Sequence, residues 1–225
     1  MPSIKPSLDG AYVRILRAEE HLNELNLKEP IVSGTQTGFH PDAFGPLTIR
    51  DEDVPPLIVG VIIGEIVYNL RAALDYLIYE LAFLDSGSIQ NNTQFPIEDN
   101  ATAFQRRKTW NRLPTSSSQG RPGFIQHLSG SHQAAIEKLQ PCSGVNWMKV
   151  LREISDPDKH RRLSRTKHMV NQKPAFVLRG GKRMEIETEY AFGLCFEGDT
   201  TFVTETLESI ASEVRKVIDS FKPDF

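Results

Sequence analysis

LIVGVIIGEIVYNLRAALDYLIYELAFL, residues 57 to 84, is apolar on almost every side and holds no proline. As one helix its 28 residues would run roughly 42 Å at about 1.5 Å per residue. That length could cross a bilayer, but Glu65, Asn69, Arg71, Asp75 and Glu80 are spread along it. An ionised group at mid-bilayer costs about 3 kcal/mol, so the reading is against a membrane span. A helix apolar all round is instead wrapped by other helices. The stretch therefore predicts the middle member of a helical bundle.

Outward from it, the pattern gives the remaining elements. Residues 9 to 27 repeat Val13, Leu16, Leu22 and Leu25 at three- and four-residue steps, with Asp9 placed to cap. Residues 31 to 56 are rich in glycine and proline and read as an excursion, with one strand-like run at Leu47 to Arg50. Residues 85 to 130 read as connection, with a short helix near Ala101 to Trp110 and a mobile loop at Pro114 to Gly123. The span 131 to 163 reads as helical: Ser131 to Leu139, Val145 to Ile154, and a new start at Asp156 with Pro157 in the first helical position. The period then changes to two. Ala175 to Arg179 and Lys182 to Glu189 flank Gly180-Gly181, a two-residue hairpin turn, and Phe192 to Phe196 offers a third strand, so that a hairpin covers about 174 to 196. Residues 201 to 221 carry the stripe Val203, Leu207, Ile210, Val214, Val217, Ile218 and Phe221 of an amphipathic helix. The fold class expected is mainly α, α+β in detail: one domain over 1 to 225, a bundle around one long central helix with a small antiparallel sheet.

Composition narrows function by exclusion. The chain has 225 residues, 26 Lys plus Arg against 29 Asp plus Glu and a net charge of −3, which argues against coating nucleic acid through net charge. Two cysteines make neither a disulfide framework nor a four-cysteine zinc site. With no apolar segment in residues 1 to 10, the expectation is a cytoplasmic protein. The phosphate-loop, dinucleotide, zincin, serine-hydrolase and CxxC motifs are all missing, and the six histidines are scattered. No cofactor and no metal are expected.

Three segments place polar groups where a bundle prefers apolar ones. Arg17 and His21 stand four apart on the first helix, and Arg71 and Asp75 four apart on the central one with Asn69 beside them. Residues 156 to 162 pack Asp156, Asp158, Lys159, His160, Arg161 and Arg162 into seven positions. Desolvating a lone ion costs several kcal/mol, so charges in so apolar a helix are paired or face a cavity. One reading makes this a structural network, with Arg71 paired to Asp75 or satisfied by the 156 to 162 turn. The other makes His160, Arg71 and Arg161 an anion site, with arginine gripping a phosphate and His160 moving a proton.

The residues YNLRAALDYLIYELA (68 to 82), RAEEHL (17 to 22), FPI (95 to 97), IEKLQP (136 to 141) and LREISDPDKHR (151 to 161) resemble, in the same order, a family of bacterial and phage proteins. In that family the helix reads NLRSALDHLAWxLA and the later motif LxxLsNxDKHR. More weakly, the chain is similar to the HEPN superfamily of helical bundles. Those often use Arg-x4-6-His to cleave RNA or bind nucleotides, commonly as homodimers whose motifs meet at the interface. The resemblance implies Arg71 as the motif arginine, but Tyr76 stands at the histidine position. A phenol with an unperturbed pKa near 10 is a poor general base at neutral pH, which moves the acid–base role to His160. Two functions stay open. The first is a non-catalytic bundle binding a nucleotide, a small anionic ligand or a protein partner through Arg17, His21, Asn69, Asp75, Tyr76, Asp158, Lys159 and Arg161. The second is a metal-independent endoribonuclease of toxin or phage-defence type, with Arg71 and His160 catalytic.

Overall fold

The computed structural model describes residues 5–37, 55–108, 123–159, 166–179 and 182–225. The central helix, α2, spans Leu57–Ser86. Pro56 precedes it and Gly87 ends it with φ of 70°, a left-handed backbone that glycine adopts without a Cβ penalty. It is long and apolar enough to cross a bilayer, yet 61% of its most apolar window is buried inside the fold. Its partners are the other helices: α1 (Asp9–Lys28), α5 (Asn146–Lys159) and α6 (Val203–Ser220).

Helix α1 runs antiparallel to α2, with Gly10 against Tyr76 and His21 beside Glu65. Its buried stripe is Ala11, Ile15, Ala18, Leu22 and Leu25, so Val13 and Leu16 face solvent instead of the core. Asp9 does not cap. The N-cap is Leu8, and the Asp9 amide donates to the Ser7 hydroxyl at 3.1 Å. Helix α6 lies antiparallel to α1 along its other edge, through Tyr12 to Asp219 at 2.6 Å, Arg215 to Glu19 at 2.7 Å and Asn26 to Glu208 at 3.0 Å. Among the described residues one hydrophobic cluster joins α1, α2, α5, α6 and Leu194 of the sheet.

Two shorter helices close one end. In α3, Ala101–Lys108, the first amides of Thr102 and Ala103 donate to the Asn100 side chain at 2.7 and 3.2 Å. In α4, Gly130–Lys138, the Ser129 hydroxyl accepts from the His132 amide at 3.2 Å. Ser129→Ala removes that cap and is expected to cost about 1 kcal/mol, measurable as a lower urea midpoint at unchanged slope. Helix α5 corrects the reading of Asp156 and Pro157 as a new helix start, because it runs unbroken to Lys159. Proline forfeits one intrahelical bond, and so near the C-terminus that loss falls on the last turns only.

The sheet is antiparallel with order β1-β3-β2. Strands β2 (Thr166–Arg179) and β3 (Lys182–Phe196) are longer than the alternating pattern suggests and leave a connection of two residues between them. Phe192 to Phe196 continue β3 and form no third strand. The third strand is β1, Val32–Thr37, with Val32 opposite Phe192 and Thr37 opposite Glu187. The run Leu47 to Arg50, the loop 114 to 122 and the Gly180-Gly181 turn lie outside the described residues. The sheet is tied to α1 by His168 Nε2 to Glu29 at 2.9 Å, with the His168 ring stacked on Phe192 at 5.2 Å.

Candidate functional site

Arg71 and Asp75 stand one turn apart on α2, and both reach the same backbone. Arg71 Nη2 donates to the Phe95 carbonyl at 2.5 Å, and Asp75 Oδ1 accepts from the Phe95 amide at 2.8 Å. The two side chains thus hold both polar groups of one residue in a segment with no helix or sheet of its own. The rest of that segment is fixed from other sides. The Glu98 amide donates to the buried Gln140 side chain at 3.0 Å, and Arg107 pairs with Glu98 at 2.6 Å. Arg152 of α5 bonds the Ile97 carbonyl at 3.4 Å and pairs with Asp99.

Arg71 is only 9% exposed, and among the described residues its Nε and Nη1 have no hydrogen-bond partner. Burial pushes the guanidinium below the ordinary arginine range, while Asp75 and Asp156 pull it back up. Arg152 acts in the direction of burial and Glu98 against it. Its charge is therefore offset by carboxylates around it, and a further ligand there would be taken by hydrogen bonds more than by net charge. Hydrogen-bonding groups buried without partners are rare in folded proteins, so these two donors mark a position where a water or a ligand atom has a use.

Beside this clamp opens a cleft of about 480 Å³ lined by Asp75, Tyr76, Tyr79 and Thr93, a size within the range of small-molecule sites, roughly 300–1,000 Å³. Thr93 stands two residues before Phe95, so the Arg71–Asp75 clamp also sets that wall. The Tyr76 ring is backed by α1. The Arg14 guanidinium stands 5.7 Å from the Tyr76 centroid and 5.8 Å from that of Tyr68, and its Nη1 donates to Asn69 Oδ1 at 3.2 Å.

The residues singled out from sequence divide between places. Asp75 and Tyr76 line the cleft, Arg71 stands behind it, on the Phe95 carbonyl one turn from Asp75, and Asn69 is linked to Tyr76 through Arg14. Arg17 and His21 do not: Arg17 faces solvent and pairs with Glu20 at 2.8 Å, while His21 is buried with Nδ1 3.4 Å from Glu65 and 3.6 Å from Glu24. Asp158 and Lys159 are in the last turn of α5, with their side chains outside the description, and His160 and Arg161 lie outside the described residues. Sequence reasoning missed Arg14, Tyr79, Thr93, Arg152 and the Phe95 backbone. Among the described residues no group of three or more His, Cys, Asp or Glu side chains is placed to hold a metal ion.

No protein-family model, curated protein or solved structure matches the chain.

Proposed function

We propose that the protein is a non-catalytic helical bundle that binds a nucleotide or another small anionic ligand in the cleft of Asp75, Tyr76, Tyr79 and Thr93. One observation carries this reading. Two tyrosines, a threonine and Asp75 line an open cleft, and one helical turn from Asp75 stands a buried guanidinium with two donors that have no partner among the described residues. Aromatic rings supply stacking surface, hydroxyls supply direction, and Arg71 offers hydrogen bonds to an oxyanion. Metal-independent RNA cleavage stands second. A polymer's phosphate would have to reach a side chain that is 9% exposed and already committed through Nη2 to a backbone carbonyl.

The test is calorimetric titration of the protein with AMP, GMP and UMP, beside RNA incubated with the protein in EDTA. The expected result is saturable binding of a nucleotide that Tyr79→Ala weakens roughly ten-fold, in line with the loss of one stacked ring, with the RNA left intact. Absence of binding by all three nucleotides would sink the reading. Cleavage abolished by Arg71→Lys in a variant that melts like the wild type would put the ribonuclease in its place.

A further inference from the structure

Gly10 lies in the first turn of α1, and glycine is a poorer helix former than alanine. The space around it shows what glycine supplies there. A Cβ at this position would sit 2.7 and 2.8 Å from Cδ1 and Cε1 of Tyr76, so no larger residue fits while the ring stays where it is. Arg14, one turn on, faces the same ring at 5.7 Å. Neither residue lines the cleft, whereas Tyr76 does. The first turns of α1 therefore pack against Tyr76 from outside the cleft.

We propose that the open side of Tyr76 is the stacking surface for a planar heterocycle, the base of a purine nucleotide, and that Gly10 and Arg14 position the ring for it. The proposal rests on the binding reading above and goes past it by naming the part of the ligand that the cleft recognises. A guanidinium behind an aromatic ring draws its π density to the rear, which lessens the repulsion a second ring meets on the open face. Tyr79, three residues on along α2, is a neighbour of Tyr76 on the helix surface and extends the aromatic wall. A purine gives that wall more contact than a pyrimidine, and Thr93 and Asp75 complete the lining.

The experiment uses the full chain and two probes sharing a phosphate, AMP and ribose 5-phosphate, titrated into wild type, Gly10→Ala, Tyr76→Leu and Tyr76→Phe. AMP is expected to bind at least ten-fold more tightly than ribose 5-phosphate. Tyr76→Leu should weaken AMP roughly ten-fold and Tyr76→Phe less than three-fold, since stacking needs the ring and not its hydroxyl. Gly10→Ala should push the ring toward the opening and weaken AMP five-fold or more, leaving ribose 5-phosphate unchanged and the melting temperature no lower. Ring proton signals of Tyr76 should move upfield on AMP addition in the wild type and less in Gly10→Ala. Equal binding of the two probes, or AMP binding indifferent to Tyr76→Leu, overturns the base-stacking proposal while a ligand cleft survives. Failure of both probes to bind the wild type removes the base-stacking proposal and the ligand cleft together. Should Gly10→Ala melt early, the comparison of leucine with phenylalanine at 76 still decides.

Discussion

Arg71→Ala is expected to lower stability by about 3 kcal/mol, which in a chain of this size is a fall in melting temperature of roughly 6–12 °C. The substitution strips the Phe95 carbonyl of its donor at 2.5 Å and takes away the positive charge that Asp75 and Asp156 face. It also leaves a void where a side chain with 9% exposure stood. One effect works the other way. The two donors without partners, Nε and Nη1, already cost desolvation energy in the wild type, on the order of 1–3 kcal/mol for each such group, and that cost disappears with the side chain. Arg71→Met separates the two effects, because it keeps most of the volume while removing the orphaned donors along with the charge. Its expected loss is about 1 kcal/mol, smaller than that of alanine. Thermal melts of the three proteins check the order. Should Arg71→Ala melt within 2 °C of the wild type, on the order of 1 kcal/mol or less, the guanidinium would be kept for a ligand and not for the fold.

Phe95→Ala is expected to cost about 3–5 kcal/mol, the range for emptying a fully buried aromatic site. The ring is 0% exposed and belongs to the main hydrophobic cluster. The effect extends beyond the ring, because the same residue's amide and carbonyl are what Asp75 and Arg71 hold. Side-chain packing and backbone clamp therefore fix one residue from two sides, and loss of either loosens the other. In a double-mutant cycle, Phe95→Ala with Asp75→Ala should destabilise less than the sum of the single changes, by roughly 0.5–3 kcal/mol as for neighbours in one network. Urea denaturation of the four proteins measures it. Strict additivity would mean that the segment is held at Phe95 by packing alone.

How far these features could be read from sequence depended on what each signal is made of. The central helix was legible because its proline-free apolar run outlasts any strand, and α6 because its stripe keeps the 3.6 period. Strand β1 was not. Val32–Thr37 reads VSGTQT, with a glycine and four hydroxyl or amide side chains, and becomes a strand only by pairing with β3, a tertiary fact. Pro157 misled because a proline after an aspartate is also the signature of a helix start. At the candidate site, charges inside an apolar helix single out Arg71 and Asp75, and the structure sets both on the Phe95 backbone. Their common partner is a backbone amide and carbonyl, which every residue has and no sequence pattern marks. The four-residue spacing from His21 singles out Arg17, yet the helical phase turns Arg17 outward and Arg14 onto the edge facing α2. The available clue was Gly10, four residues before Arg14: a glycine inside a helix asks what comes close to it.

The pairing of β1 with β3 also sets an order of events at the ribosome. Val32 and Phe192 are partners across the sheet, and at 5–20 residues per second the later one is made roughly 8–30 s after the earlier. Helices α1 and α2 have each other much sooner, whereas β1 has no strand to pair with in that interval. An unpaired strand invites association with other chains when it is apolar and flat. Here the waiting segment is Val-Ser-Gly-Thr-Gln-Thr, too polar to adhere to a neighbour. The weak strand signal that hides β1 from a reader of the sequence is thus what lets a nascent chain carry it safely until its partner is made.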